Sequence, residues 1–327
     1  MNFKAFGKQV VLPVIIAICS IALVACGDNT TPSVNGTSAA SNASQTTAGV
    51  AGKLRVVATT TQLADFARNV GGERVEVTSI LKPSADAHEY EPTAADSKAL
   101  AASQLILKNG LGLDDWLDKT IQSSGTKALL VTASEGVKTR KAEGSLVEEF
   151  KNGDPHIWFS SDNAKKMVDN IATGLLKVDP SSSDIYQANA SAYKAQLDQM
   201  AQQIKALIAN IPAENRKLVT NHDAFGYFID QFGLTFVGSV IPSMDSTSEP
   251  SARDIEELVN KIKEQKVKAI FTEQSLNPRL AEQISREAGV KIYSNLYSDS
   301  LSEPGSDGDT YLKMMLSNAR NIVAGLK

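Results

Sequence analysis

The sequence predicts an α/β protein with two mostly parallel sheets, each flanked by helices, and one long helix between them. Short β-branched segments alternate with helical segments in the first part of the chain, and the same alternation returns in the last part. The segment that divides the two parts is longer than a helix of an ordinary α/β unit. An apolar content of 42 % and a charged content of 21 % are those of a globular protein with a normal core.

The strands of the first sheet are predicted from short segments bounded by Gly, Pro or Ser. The helix after the first of them is predicted from Leu63, Phe66, Ala67 and Val70, which recur at a spacing of three or four. The four predicted strands are residues 54–60, 75–81, 104–110 and 128–134.

The second half repeats this pattern, so we expect a second sheet rather than an extension of the first. Its predicted strands are residues 217–223, 234–240, 267–273 and 290–297.

The dividing segment, residues 181–212, is predicted to be one helix bounded by Pro180 and Pro212. Its apolar positions step by three or four, and some 30 residues would span roughly 45 Å. Two interpretations are open, a long core helix or a rigid strut that joins two domains and limits how far they hinge. The repeating apolar positions are Tyr193, Leu197, Met200, Ile204, Leu207 and Ile211.

The first residues have the order of a secretory signal peptide. Lys4 and Lys8 precede an uncharged apolar run over residues 10–25, which ends in Leu-Val-Ala before Cys26. A Cys in this position resembles the bacterial lipobox, which implies cleavage before Cys26 and attachment of lipid to its thiol. A transmembrane anchor and an ordinary cleaved signal are the alternatives.

Residues 26–52 are rich in Ser, Thr, Asn, Ala and Gly, which predicts a flexible tether between the membrane and a folded body. The predicted organisation is therefore a signal peptide, a tether, an N-terminal α/β domain, a linking helix and a C-terminal α/β domain. The boundaries are 1–25, 26–52, 53–180, 181–212 and 213–327. A net charge of −4 without basic excess argues against nucleic acid as a partner.

The chain has only three histidines, His88, His156 and His222, and all three follow strands or precede helices. Ligands of α/β proteins bind at such strand ends. One loop histidine alone is more often a hydrogen-bonded or surface residue, but three in equivalent places predict a metal site, because imidazole is the commonest metal ligand.

An acid accompanies each histidine and could orient its ring. Asp86 and Asp154 stand two residues before His88 and His156, and Asp223 directly follows His222. A ligating imidazole needs such a partner on its second nitrogen. The ligands are far apart in sequence and no Cys is available in the body, so a zinc-finger arrangement is excluded.

Five motifs together resemble the zinc- and manganese-binding solute-binding lipoproteins of bacterial ABC transporters (solute-binding protein family 9). The first motif departs from the family pattern, since Ala87 replaces the Pro of the usual Asp-Pro-His, but His88 is kept. The resemblance covers about residues 54–327. The motifs are SADAHEYEP, DPHIWFS, NHDAFGYFIDQFGL, EPSARDIEELVNKIKEQKVKAIFTE and LYSDSLS.

The resemblance implies two α/β domains joined by one long rigid helix, with the metal in the interdomain cleft. It also implies a fourth ligand at Asp299, so that His88 and His156 come from the first domain and His222 and Asp299 from the second. From the residues alone other acids compete for the fourth place. They are Glu249, Glu273, which could alternatively orient a ligand, and the loop residues Glu303, Asp307 and Asp309.

We therefore expect an extracytoplasmic, lipid-anchored monomer that captures a divalent metal and delivers it to an ABC permease. Three imidazoles and one carboxylate favour Zn(II) as the cargo. Mn(II) is the alternative, and the region 132–154 has acids and lysines but no His-rich loop of the kind found in zinc-specific members of the family.

Two other functions remain open from the sequence alone. A zinc hydrolase could use Glu89 or Asp223 as its base, but the sequence has no H-E-x-x-H motif and four protein ligands leave little room for an activated water. We therefore expect a binding protein and no enzyme. A role in cell adhesion is conceivable for a lipidated surface protein, although no residue points to it as the primary role.

Overall fold

The computed structural model describes residues 52–140 and 152–327. The predicted signal peptide, Cys26 and nearly all of the tether lie outside these residues and stay predictions. Within the described ranges, no helix is both long and apolar enough to cross a membrane.

The first sheet has four parallel strands in the order β2-β1-β3-β4. Every predicted strand of this sheet is confirmed, and each ends two residues earlier than predicted. The strands are β1 (Leu54–Ala58), β2 (Val75–Ser79), β3 (Leu105–Lys108) and β4 (Leu129–Thr132).

Helices cover both faces of this sheet, so its central strands are almost entirely buried. Two helices pack on one face, α1 (Thr61–Gly71) and α4 (Ser161–Val178). The other face carries α2 (Ala94–Ala102) and α3 (Asp118–Ser123) over a small apolar cluster.

The second half contains two parallel ladders of two strands where the sequence predicted one sheet. Register shifts between Leu218 and Val219 and between Phe271 and Glu273 disturb these ladders. Such bulges interrupt regular pairing within each ladder. β5 lies beside β7 without a continuous ladder between them. The strands are β5 (Lys217–Thr220), β6 (Thr235–Ser239), β7 (Ala269–Glu273) and β8 (Lys291–Leu296).

The long helix α5 runs over Ser183–Ala209, and its 27 residues span about 40 Å. It is shorter than predicted because Pro180–Ser182 form a 3-10 turn and the chain leaves the helix before Pro212. It packs against α1 and α4 of the first half, and against a helix of the second half.

Four further helices complete the second half: α6 (Gly226–Phe232), α7 (Ala252–Glu264), α8 (Arg279–Ala288) and α9 (Tyr311–Leu326). It is α9 that packs against α5. The largest apolar cluster joins Val56 of β1, Tyr193 of α5 and Ile322 of α9, and it continues through Phe159 and Phe225. The two halves thus share one core, and the domain boundaries at 180 and 212 stay predictions.

Candidate metal centre

The structure brings the three histidines and Asp299 together. His88 lies in the loop between β2 and α2, and His156 directly precedes the 3-10 turn Ile157–Phe159. His222 follows β5 by two residues, and Asp299 follows β8 by three. Each side chain therefore sits just beyond a regular element, as expected for ligands at strand and helix ends.

These four residues are close enough together to hold a metal ion. One nitrogen or oxygen from each lies within 4.8 Å of those from the other three. The ring centroids of the histidines are separated by 5.3 to 5.9 Å. The Asp299 carboxylate reaches two of the rings, with Oδ1 at 3.5 Å from Nε2 of His156 and Oδ2 at 3.6 Å from Nε2 of His222.

The atoms that point into this cluster lack hydrogen-bond partners. Within the described part of the chain, Nε2 of each histidine and both carboxylate oxygens of Asp299 are buried and unpaired. Buried polar atoms are nearly always satisfied in folded proteins, and an unpaired one costs free energy. Five such atoms that converge on one point indicate a bound cation, which would satisfy all of them.

His156 is held by the acid two residues before it. Oδ1 of Asp154 lies 2.8 Å from Nδ1 of His156 and also accepts the backbone N–H of His156 at 2.9 Å. Gly153 has a φ of +99°, and a Cβ there would lie 2.9 Å from the carbonyl oxygen of Arg140. The Gly-Asp-Pro-His order therefore makes a tight turn that aims Nε2 of His156 at the centre.

His222 is held by an acid from a neighbouring strand. Oε2 of Glu273 lies 2.8 Å from Nδ1 of His222, and Oε1 accepts the backbone N–H of His222 at 3.2 Å. Glu273 is the last residue of β7 and is buried. It is an orienting carboxylate here, on the far side of the ring from the cluster.

His88 is held differently. Asp86 contacts its backbone and not its ring, with Oδ1 accepting the His88 N–H at 2.8 Å and Oδ2 accepting the hydroxyl of Ser246 at 2.6 Å. Asp223, expected to orient His222, forms no ion pair with that ring among the described residues, and its backbone N–H donates to the carbonyl oxygen of Ser243 at 2.9 Å. Glu273 takes that role because β7 lies beside β5.

Burial and neighbouring charges shift the pKa values of all four residues of the cluster. Burial lowers the pKa of His156, but the hydrogen-bonded Asp154 and the nearby carboxylate of Asp299 outweigh this and raise the pKa to about 10. Burial likewise opposes the charges of Glu273 and Asp299, which raise the pKa of His222 to about 9. For His88 burial prevails, and its pKa falls to about 4. Burial raises the pKa of Asp299, but the neighbouring His222 and His156 hold it below its usual range.

Three side chains that the sequence did not single out for this site fix the loop of Asp299. The carbonyl oxygen of Ser298 accepts two hydrogen bonds at 3.1 Å, from Nε2 of Gln62 and from Nε1 of Trp158. The backbone N–H of Leu301 donates to the hydroxyl of Thr61 at 2.7 Å. All three partners belong to the first half, and their long separation in sequence leaves no local signal.

The other acids considered for the fourth place lie outside the cluster. Glu249, Glu303 and Asp307 are exposed, and Asp309 pairs with Lys313 at 2.8 Å. Glu89, considered as a hydrolytic base, is also exposed.

A family model described as the zinc-uptake complex component A, periplasmic (ZnuA), matches residues 56–325. The chain belongs to this family. The resemblance to metal-binding proteins of ABC transporters that the motifs indicated is thereby confirmed.

Named relatives of the family extend over nearly the whole chain. The manganese ABC transporter substrate-binding lipoprotein PsaA of Streptococcus anginosus is 32 % identical over 318 residues, which cover 95 % of this chain and 97 % of the relative. The manganese-binding lipoprotein MntA of Bacillus subtilis (strain 168) is 34 % identical over 280 residues, or 84 % and 90 % of the two chains.

Among solved structures, the periplasmic zinc-binding protein TroA of Treponema pallidum matches with a TM-score of 0.78 and 31 % identity. The match covers 84 % of this chain and 99 % of that one. The α/β architecture with its parallel sheets and long helix is therefore shared with this zinc-binding relative.

Proposed function

We propose that this chain is the lipid-anchored substrate-binding component of an ABC transporter and that its cargo is one divalent transition-metal ion. His88, His156, His222 and Asp299 hold the ion, and the chain delivers it to the membrane permease. The observation that carries the proposal is the convergence of five buried, unpaired ligand atoms within the described residues. Membership of the family supports it independently.

Zinc is the cargo that the donor set favours. Three imidazole nitrogens and one carboxylate form a compact, nitrogen-rich set that suits tetrahedral Zn²⁺. For most sites of this kind the intrinsic affinity order also places zinc above manganese. The zinc-binding relative TroA has the same fold.

Manganese is the second candidate, and a specific observation supports it. Both oxygens of Asp299 are unpaired within the described chain, so a bidentate carboxylate would give five donors. Mn²⁺ favours more ligands and more oxygen than Zn²⁺. PsaA and MntA, which carry manganese in their names, are both more than 30 % identical to this chain.

Growth and metal uptake in a strain that lacks this protein separate the two cargoes. With zinc as the cargo, we expect a growth defect in chelated medium that zinc relieves, together with reduced uptake of labelled zinc. A defect relieved by manganese alone, with zinc uptake unchanged, would contradict the zinc assignment and leave manganese as the cargo.

The anchor is proposed from Cys26 and from the word lipoprotein in the names of the relatives. It places the folded body on the extracytoplasmic side of the membrane, next to the permease. We expect Cys26→Ser to abolish incorporation of labelled palmitate. Normal labelling of that variant would exclude Cys26 as the lipidated residue.

Binding without turnover is the remaining part of the proposal. The four residues would surround the ion, and the exposed Glu89 lies outside the cluster. We expect one tightly bound metal per chain and no hydrolysis of ester, peptide or phosphoester substrates by the zinc-loaded protein.

A further inference from the structure

Arg140 connects the two halves of the chain beside the metal centre. Its Nε lies 2.8 Å from Oδ2 of Asp230, and its Nη1 lies 3.0 Å from Oδ2 of Asp154. The guanidinium carbon also lies 5.8 Å from the centre of the Tyr227 ring. Asp230 and Tyr227 belong to α6 of the second half, whereas Arg140 and Asp154 belong to the first.

Asp154 is shared between Arg140 and a proposed metal ligand. Its Oδ1 holds both the ring and the backbone of His156, while its Oδ2 is taken by Arg140. Asp154 is completely buried, and a buried carboxylate needs a well-placed partner for its charge. The forked guanidinium therefore fixes the plane of the carboxylate that aims Nε2 of His156.

Backbone hydrogen bonds reinforce this connection. The N–H of Arg140 donates to the hydroxyl of Tyr227 at 3.0 Å, and that hydroxyl donates to the carbonyl oxygen of Asp154 at 2.8 Å. The N–H of Asp154 donates to the carbonyl oxygen of Arg140 at 3.1 Å. The hydroxyl of Tyr227 thus joins the two first-half segments to α6.

Gly226 provides the space for the guanidinium. A Cβ at this position would lie 1.6 Å from Nη1 of Arg140 and 2.3 Å from its Cζ. Gly226 is not among the glycines with positive φ, so its backbone does not require glycine. A side chain at position 226 would therefore require the guanidinium of Arg140 to move away.

We infer that Arg140 is a positioning residue for the metal centre, which ties Asp154, and through it His156, to α6 of the second half. This inference rests on the proposed function. When the connection is intact, the His156 ring is held with Nε2 directed at the ion, and the bound ion dissociates slowly. When it is broken, Asp154 is free to turn, the ring loses its orientation and the ion leaves faster.

The test measures metal dissociation from the full-length protein purified in detergent. Zn²⁺ release is followed after addition of excess chelator, and Co²⁺-loaded protein reports the coordination through its visible spectrum. The variants are Arg140→Gln, Arg140→Lys, Asp230→Asn and Gly226→Ala. Arg253→Gln is the matched control, because Arg253 is 85 % exposed and, among the described residues, forms its ion pair along its own helix with Glu257.

We expect Arg140→Gln and Gly226→Ala to speed Zn²⁺ release by roughly tenfold or more, within the range that loss of an outer partner of a ligand costs. Their Co²⁺ spectra should change. Arg140→Lys should also release faster, because an ammonium group cannot bridge Asp154 and Asp230 as a fork does. Asp230→Asn should have a smaller effect, and adding it to Arg140→Gln should change nothing further.

Release rates equal to wild type in Arg140→Gln and Gly226→Ala would overturn the inference, as would full recovery in Arg140→Lys. If Arg140→Gln does not fold, Arg140→Lys decides, since it keeps a positive charge beside the buried Asp154 but loses the fork. An Arg140→Lys protein with wild-type release and spectrum would then overturn the inference. Failure of the wild-type protein to bind Zn²⁺ or Co²⁺ would contradict the proposed function itself, which is a different outcome.

Discussion

The three histidines of the centre are held in two different ways. His156 and His222 are completely buried, and each has a carboxylate oxygen 2.8 Å from Nδ1 on the far side of the ring. His88 is partly exposed, and among the described residues no carboxylate forms an ion pair with its ring. Its partner Asp86 holds the backbone instead.

This difference indicates different roles in binding. In the proposed site, His156 and His222 are the more rigid and electron-rich ligands, because a carboxylate beside Nδ1 fixes each ring and raises its basicity. His88, the proposed ligand nearest to solvent, has no ion-paired carboxylate among the described residues to offset burial, so its pKa falls to about 4 and its ring is neutral at neutral pH. We expect His156 and His222 to supply most of the affinity.

The largest expected effect comes from removing a ligand. His156→Ala and His222→Ala should each weaken Zn²⁺ binding by orders of magnitude, more than the roughly 10- to 100-fold that loss of an outer partner costs. His88→Ala should also weaken binding strongly, but less than the other two. Chelator competition measures all three, with circular dichroism as the check that the metal-free variants are folded.

An unchanged affinity in any of these variants would mean that the histidine concerned is not a ligand. A greater loss for His88→Ala than for His156→Ala would reverse the ranking of the two kinds of histidine.

The second effect is on pH dependence. Because the pKa values of His156 and His222 are raised to about 10 and 9, both rings carry protons at neutral pH before metal binds. A metal must displace these protons, so affinity should fall as pH is lowered, by up to roughly a hundredfold per pH unit for two protons. An ordinary imidazole would lose affinity only below roughly pH 6.5.

Calorimetry in buffers of different ionisation enthalpy measures the protons released. We expect release of up to two protons per Zn²⁺ at pH 7. Binding at pH 7 to 8 without proton release would show that His156 and His222 are neutral in the metal-free protein.

The smallest effects should come from the carboxylates. Asp154→Asn and Glu273→Gln remove the acceptor charge behind a ligand ring, and each should cost roughly 10- to 100-fold in affinity. Asp86→Asn is the matched comparison, since an amide oxygen can still accept the backbone N–H of His88, and it should cost less. A loss of affinity for Asp86→Asn as large as that for Asp154→Asn would remove the distinction between the two kinds of histidine.

Much of the fold was predictable because it depends on local patterns. The eight strands and the long helix follow from β-branched segments and from apolar spacing, and all are present with shorter ends. The division of the second sheet into two ladders was not predicted, because the pairing of strands depends on the assembled fold and not on the local pattern of each strand.

The residues of the candidate centre could be predicted from the sequence where their type is rare, as for histidine, and not where it is common, as for the acids. Three histidines in 327 residues could be singled out from position alone, and the structure brings all three together. Asp299 needed the family resemblance, since several acids competed for its place. Arg140 and Gln62 could not be found, because their partners lie far away in sequence and depend on the assembled fold.

Anomalous diffraction from crystals of the zinc-loaded protein, recorded on both sides of the zinc absorption edge, tests the central claim most directly. We expect one strong anomalous peak per chain, within bonding distance of Nε2 of His88, His156 and His222 and of the carboxylate of Asp299. A peak elsewhere, or a peak at this place without one of these four ligands, would contradict the assignment of the metal centre.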